Sequence, residues 1–283
     1  MAINDFLKKQ QIKKIILFMA SVTFAIGFAY AIYSSPELLK SIDYKQVSFI
    51  VLLGVPCTLL LNAVDFILLG HVFFKPVPFI RALEISILSS AANMLPLPGG
   101  TITKIAGLKQ EGVGIGKASG VTIIFGFIWI SVAFIYAGIS LFFYSSTTRA
   151  IGLTLLAGGA ILLIFLIIVL RIHNKSNTLI LAIILHRFTL VFVDALRLFW
   201  SFNAINSKID LLQSGIFVIS GVLGSVVSII PAGLGIREGV SALLAPTVGL
   251  SASSGFIATS INRLLGLTVL SPLAFLLSYR KTN

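Results

Sequence analysis

Residues 211–248 read LLQSGIFVISGVLGSVVSIIPAGLGIREGVSALLAPTV. An apolar run over 211–230 meets Pro231-Ala232-Gly233-Leu234-Gly235, and a second apolar stretch, 236–248, follows at once. Proline lacks the N–H that a helix interior needs and glycine is costly there, so the run stops as a helix at this point. In a bilayer the freed backbone groups find no water. They are tolerated only inside protein or beside a water-filled cavity. The stretch therefore reads as a re-entrant hairpin or a discontinuous helix. A second break of the same kind, Pro96-Leu97-Pro98-Gly99-Gly100, follows the apolar segment 79–95.

Composition requires the bilayer that this reading presumes. Of 283 residues, 57% are hydrophobic and 11% charged, against about 45–50% and about 25% in soluble domains. A soluble enzyme or binding module is excluded, and so is a disordered chain. The long apolar runs also differ from the short alternating segments of a barrel. A spanning helix takes about 20 residues. The runs at 15–33, 47–70, 120–143, 151–170, 179–202 and 254–279 meet that length. The expected fold is an all-α polytopic membrane protein. It has about six full transmembrane helices plus two re-entrant hairpins, in one integral membrane domain over residues 1–283. The run at 15–33 is longer than a signal-peptide core and reads as an uncleaved first span. The single cysteine, Cys57, excludes a disulfide framework and reads as a small buried hydrophobe.

The net charge is +12, from 21 Lys+Arg and 9 Asp+Glu. Nucleic acid and positive-inside loops are the two obvious explanations, and the placement of the charges decides for the loops. If both broken segments return to the side they enter from, Lys8, Lys9, Lys13, Lys14, Lys75, Arg81, Lys104, Lys109, Lys117, Arg171, Lys175, Arg280 and Lys281 fall on one side. Lys40, Lys45, Arg149 and Lys208 fall on the other. An excess of that kind marks the cytoplasmic side, so the expectation is a multi-pass protein of the cell membrane with both termini inside.

An offset of 135 residues lays one break on the other. Pro96 falls on Pro231, Gly100 on Gly235, Gly114 on Gly249, Ser119 on Ser254 and Gly120 on Gly255, and Ser90 on Ser225 and Leu108 on Leu243 also coincide. The first hairpin enters from inside and the second from outside, and the spans beside them also run in opposite directions in the two halves. The pattern is that of an inverted-topology repeat, with halves at roughly 47–143 and 179–278. In transporters so built, the site lies near the midplane at the broken helices.

Charges at that depth are costly and therefore informative. Arg187, Arg197, Arg237 and Arg263 stand against Asp65, Asp194 and Glu238. Arg187, Asp194 and Arg197 share one helical face, as do Asn62 and Asp65. One reading is internal ion pairs, of Asp194 with Arg187 or Arg197 in particular. The other is a ligand with an anionic group such as a phosphate, which Arg binds bidentately. Arg237 and Arg263 would bind the phosphate. Glu238 would orient Arg237 or carry a coupling proton. Asn93, Pro96, Gly99, Gly100, Pro231, Gly233 and Gly235 would shape the broken backbone, with Lys104 beside them.

The segment Pro231-Ala232-Gly233-Leu234-Gly235-Ile236-Arg237-Glu238-Gly239 resembles the signature of the lysylphosphatidylglycerol-synthase transmembrane family, the flippase-like membrane domain. Asn93, Pro96, Gly99, Gly100 and Lys104 resemble that family's Asn-x-x-Pro motif with its following Gly and basic residue, and Arg263 matches an Arg in its last span. The resemblance implies a lipid-translocating protein. In some members this domain flips an aminoacylated phospholipid made by an attached synthetase domain.

Other chemistry is missing from the sequence. Residues 112–119, GVGIGKAS, depart from a phosphate loop because position 111 is Glu and Ala118 follows Lys117. His71, His173 and His186 are scattered, with no H-E-x-x-H motif and no G-x-S-x-G elbow. Asn174-Lys175-Ser176 is a glycosylation sequon that this topology places inside. Lys104, Lys109 and Lys117 read as ordinary inner charges or as a funnel for an anionic headgroup. No cofactor and no nucleic acid is expected. The expected partner is a membrane lipid with an anionic headgroup; a second copy of the chain or a separate lipid-modifying enzyme stays open. A membrane enzyme acting on a lipid carrier, with Glu238 or Asp194 as base, and an ion-coupled solute transporter are the alternative functions.

Overall fold

The computed structural model of the chain describes residues 18–19, 21–40, 42–93, 99–173, 175–226 and 233–282. Lys8, Lys9, Lys13, Lys14, Pro96, Asn174 and Pro231 lie outside the described residues. The described residues form helices and no strand. They are α1 (Ser21–Ser34), α2 (Tyr44–Val72), α3 (Phe79–Ala92), α4 (Gly99–Gln110), α5 (Ile115–Tyr144), α6 (Arg149–Ile172), α7 (Asn177–Ala204), α8 (Leu211–Val226), α9 (Ile236–Leu244) and α10 (Ala252–Thr282). A four-residue helical turn, Glu37–Lys40, precedes α2.

Five of these, α2, α5, α6, α7 and α10, are long and apolar enough to cross a membrane. They coincide with five of the six runs expected from sequence. The sixth is described only from Ser21 onward, in the apolar helix α1. By contrast α3, α4, α8 and α9 hold 14, 12, 16 and 9 residues. At about 1.5 Å per residue none reaches the roughly 30 Å of a hydrocarbon core.

Helix α7 is central and packs against α2, α5, α8 and α10. Its Leu198 and Phe202 are fully buried, and the Phe202 ring lies 4.3 Å from that of Phe217 on α8. Helix α6 stands at the edge and packs along α5. Small residues make that contact close. A Cβ on Gly138 would lie 2.6 Å from Leu156 N, and one on Gly152 2.6 Å from Phe142 N. Membrane helices associate through such small residues because lipid supplies no hydrophobic drive between them.

Cys57 differs from its expected place. It is exposed on the outer face of α2, with Leu52, Leu53 and Leu60 also exposed on that helix. In a spanning helix an apolar side chain is as well suited to lipid as to a core, so an apolar run does not tell the two faces apart.

Candidate functional site

Both breaks are drawn tight by short-range contacts. Before the first, Asn93 ends α3, and its Oδ1 accepts a hydrogen bond of 2.8 Å from the Gly100 N–H. Ser89 Oγ donates to Gly100 O at 2.9 Å. A Cβ on Gly99 would meet the Ala92 carbonyl and one on Gly100 the Asn93 amide, so the start of α4 can approach the end of α3 only as glycine. At the second break Gly233 and Gly235 have φ of +63° and +80°, which favours glycine. Gly233 also lies against the backbone of Gly224 on α8. The N–H of Gly235 donates to Glu238 Oε2 at 2.8 Å. A carboxylate thus stands at the start of α9, where helix donors are unpaired and the dipole favours it.

Between the two breaks lies a cavity of ≈ 500 Å³. Its wall takes Asn93, Gly100 and Lys104 from the first break and Gly224, Gly233 and Arg237 from the second. Asn62 and Asp65 of α2, Phe125 and Trp129 of α5, and Arg187 and Asp194 of α7 complete it. Helix α3 contributes Ser86, Ser89, Ser90 and Asn93, spaced so that all four share one face. Asn93 was an expected site residue; Ser86, Ser89 and Ser90, although readable as a stripe in the sequence, were not.

The charges fall into two groups. Asp65 is 1% exposed and receives Lys104 Nζ on one oxygen at 2.8 Å and Arg187 Nη2 on the other at 2.6 Å. The Arg187 guanidinium also lies 5.2 Å from the centroid of the Phe125 ring. So Arg187 pairs with an acid on a facing helix, and not with Asp194 two turns along its own. Asp194 makes no ion pair among the described residues, though Arg197 and Arg237 both act on its charge from farther off. Arg237 likewise has no hydrogen bond or ion pair among the described residues, and its Nε is buried without a partner. Glycines 221 and 224 of α8 leave room for its side chain. The wall therefore carries Lys104, Arg187 and Arg237 against Asp65 and Asp194.

Gly99 and Gly235 stand behind the wall, and so do three of the expected charged residues, Arg197, Glu238 and Arg263. Arg263 of α10 binds Glu238 Oε1 at 3.0 Å, and Glu238 is wholly buried. That carboxylate thus joins α10 to the start of α9. Arg197 donates from Nη1 to Thr58 Oγ1 and from Nη2 to Asn262 O, both at 3.2 Å. It ties α2, α7 and α10 together beside the cavity.

A polar cavity with a surplus cation and many hydroxyls can bind an anionic, hydrogen-bonding group. Among the described residues no cluster of three or more His, Cys, Asp or Glu could hold a metal ion. No protein-family model matches the chain, and no curated protein matches its sequence.

Proposed function

We propose that this protein is a membrane transporter that moves a lipid with an anionic, phosphate-bearing headgroup between leaflets. The observation that supports this most is the Arg237 guanidinium, without a hydrogen bond or ion pair among the described residues, at the wall of a polar cavity between two broken helices. Asp194 and Glu238 act on Arg237 only from farther off, and a headgroup phosphate would pair with the guanidinium directly when bound. Acyl chains would stay in the bilayer while the headgroup crosses through the cavity. In this reading Arg263 and Glu238 position α9, and with it Arg237, from behind.

The order of elements favours an inverted repeat of four helices. A shift of 135 residues carries α2 onto 179–207, against Asn177–Ala204, and α3 onto 214–227, against Leu211–Val226. It carries α4 onto 234–245, against Ile236–Leu244, and α5 onto 250–279, against Ala252–Thr282. Helix α6 is the one connecting span, and an odd number of passes between the halves inverts the second. The short pairs α3–α4 and α8–α9 then read as two re-entrant hairpins entering from opposite sides. With the first span counted, the chain has six full passes in the cell membrane and both termini inside.

The test uses the full chain in phosphatidylcholine vesicles containing a trace of phosphatidylglycerol with a dye on its acyl chain. An impermeant reductant added outside reads the inner leaflet only as lipid is exchanged. Exchange should be fast with the protein and fall at least tenfold with Arg237→Ala, while Arg237→Lys keeps part of it. Exchange unchanged in a folded Arg237→Ala variant would refute the assignment. Uptake of a soluble phosphate ester without lipid exchange would favour the solute-transporter alternative.

A further inference from the structure

A second cavity, of ≈ 430 Å³, lies at the opposite ends of these helices from the α5–α6 turn. Its walls are almost wholly apolar, with Val121 and Ile124 of α5 facing Leu170 of α6. Its size falls within the roughly 300–1,000 Å³ of ligand pockets. Three side chains that can bear positive charge, Lys117, His173 and Lys175, stand on its border. Lys175 is held in place, because its Nζ donates to Val72 O at 2.7 Å and lies 5.3 Å from the Phe74 ring centroid. An ammonium has three donors, so it keeps others for a ligand. His173 meets Val169 O through Nδ1 at 2.8 Å, and Nε2 stays available. Among the described residues no acid is paired with Lys117, His173 or Lys175, and Glu84 and Glu111 both meet Arg81, at 3.2 and 3.9 Å.

We propose that this wedge binds one acyl chain of an anionic membrane phospholipid, with the lipid phosphate at Lys117, His173 and Lys175. An apolar slot with cations at one end matches an amphiphile whose charge sits at one end. Basic pockets between membrane helices on the positively flanked side suit anionic headgroups for the same reason. A second copy of this chain fits poorly, since a two-fold contact would set these cations against their own copies. Gly120 lines the slot, and a Cβ there would have no atom within 4 Å, so a larger side chain at this position has room to occupy it. The site is separate from the central cavity and does not depend on its function.

The experiment uses the full chain in phosphatidylcholine vesicles doped with phosphatidylglycerol that carries a photoreactive acyl chain. After illumination, adducts are mapped by mass spectrometry. Adducts are expected at residues 120–124 and 170, competed by unlabelled phosphatidylglycerol and not by extra phosphatidylcholine. Gly120→Leu, which fills the slot, should abolish them. Lys117→Gln changes an exposed side chain and should lower them roughly fivefold, the worth of one surface cation. If Gly120→Leu does not fold, Lys117→Gln together with His173→Gln carries the test. Adducts only elsewhere, equal competition by phosphatidylcholine, or adducts indifferent to these substitutions would overturn the proposal. So would a dimer abolished by Gly120→Leu with no lipid adduct. Arg237→Ala separates the two sites: it should slow leaflet exchange and leave this adduct, and its loss there would place the lipid in the central cavity instead.

Discussion

Arg237 and Arg263 differ in what lies within reach of the guanidinium, and the difference predicts opposite phenotypes. Arg263 meets the fully buried Glu238 at 3.0 Å. Removing one partner of a buried pair leaves the other charged and unpaired, at a cost of about 3 kcal/mol or more. Arg263→Ala should therefore lower the thermal midpoint in detergent, and adding Glu238→Gln should recover much of it. Arg237 has no hydrogen bond or ion pair among the described residues, so Arg237→Ala should leave the midpoint near that of the parent, or raise it, while transport is lost. A large stability loss in Arg237→Ala would show that its neighbours hold it structurally. Asp65 gives a third case. Among the described residues it is the one acid paired with Lys104 and Arg187, through contacts of 2.8 and 2.6 Å. Asp65→Asn should destabilise by about 3 kcal/mol or more, and Arg187→Gln in that background should restore part of it. Thermal unfolding of the single and double variants would show whether the two sites couple.

At the scale of elements, the breaks depend on glycine and on one amide. Asn93 Oδ1 accepts from the Gly100 N–H at 2.8 Å and so serves as the cap of α4. Asn93→Ala should cost about 1 kcal/mol, the usual worth of a cap. It should slow leaflet exchange, since it loosens the start of the helix that presents Lys104 to the cavity. Asn93→Asp retains an acceptor and should retain stability, and if Asn93→Ala and Asn93→Asp lose stability equally, the cap has no such role. Both breaks were legible in sequence because Pro and Gly act on the chain locally. Five of the six expected spans were legible too, as helices long and apolar enough to cross a membrane, since crossing a bilayer demands a long apolar run whatever it packs against. The pairing of charges was not. Lys104 and Asp65 are 39 residues apart in sequence, and their contact depends on how α4 docks on α2. Helical spacing offered Arg187 one acid, Asp194, yet a facing helix supplied another, Asp65. Nor did spacing tell that Arg263 would turn to Glu238 and away from the cavity.

For the whole molecule, the short helices and the basic loops make one joint claim about sidedness. The turns that follow α2, α4 and α6 gather at one end, where Phe73, Lys117 and His173 border the same wedge. That end carries Lys75, Arg81, Lys109, Lys117, Arg171 and Lys175 against Glu84 and Glu111. If α3–α4 returns to the side it enters from, all three turns face one compartment, and positive charge places it inside. If α3 and α4 together made a single pass, the turn after α4 would face the other side. Single cysteines at Lys75, Glu111 and His173, in a Cys57→Ser background, should then all be labelled by an impermeant maleimide only after the membrane is opened. A cysteine at Thr147, in the turn between α5 and α6, should be labelled in intact cells. Positions 75 and 111 labelled from opposite sides would exclude the first hairpin. The repeat would fall with it, because inversion about α6 requires each half to hold an even number of full crossings.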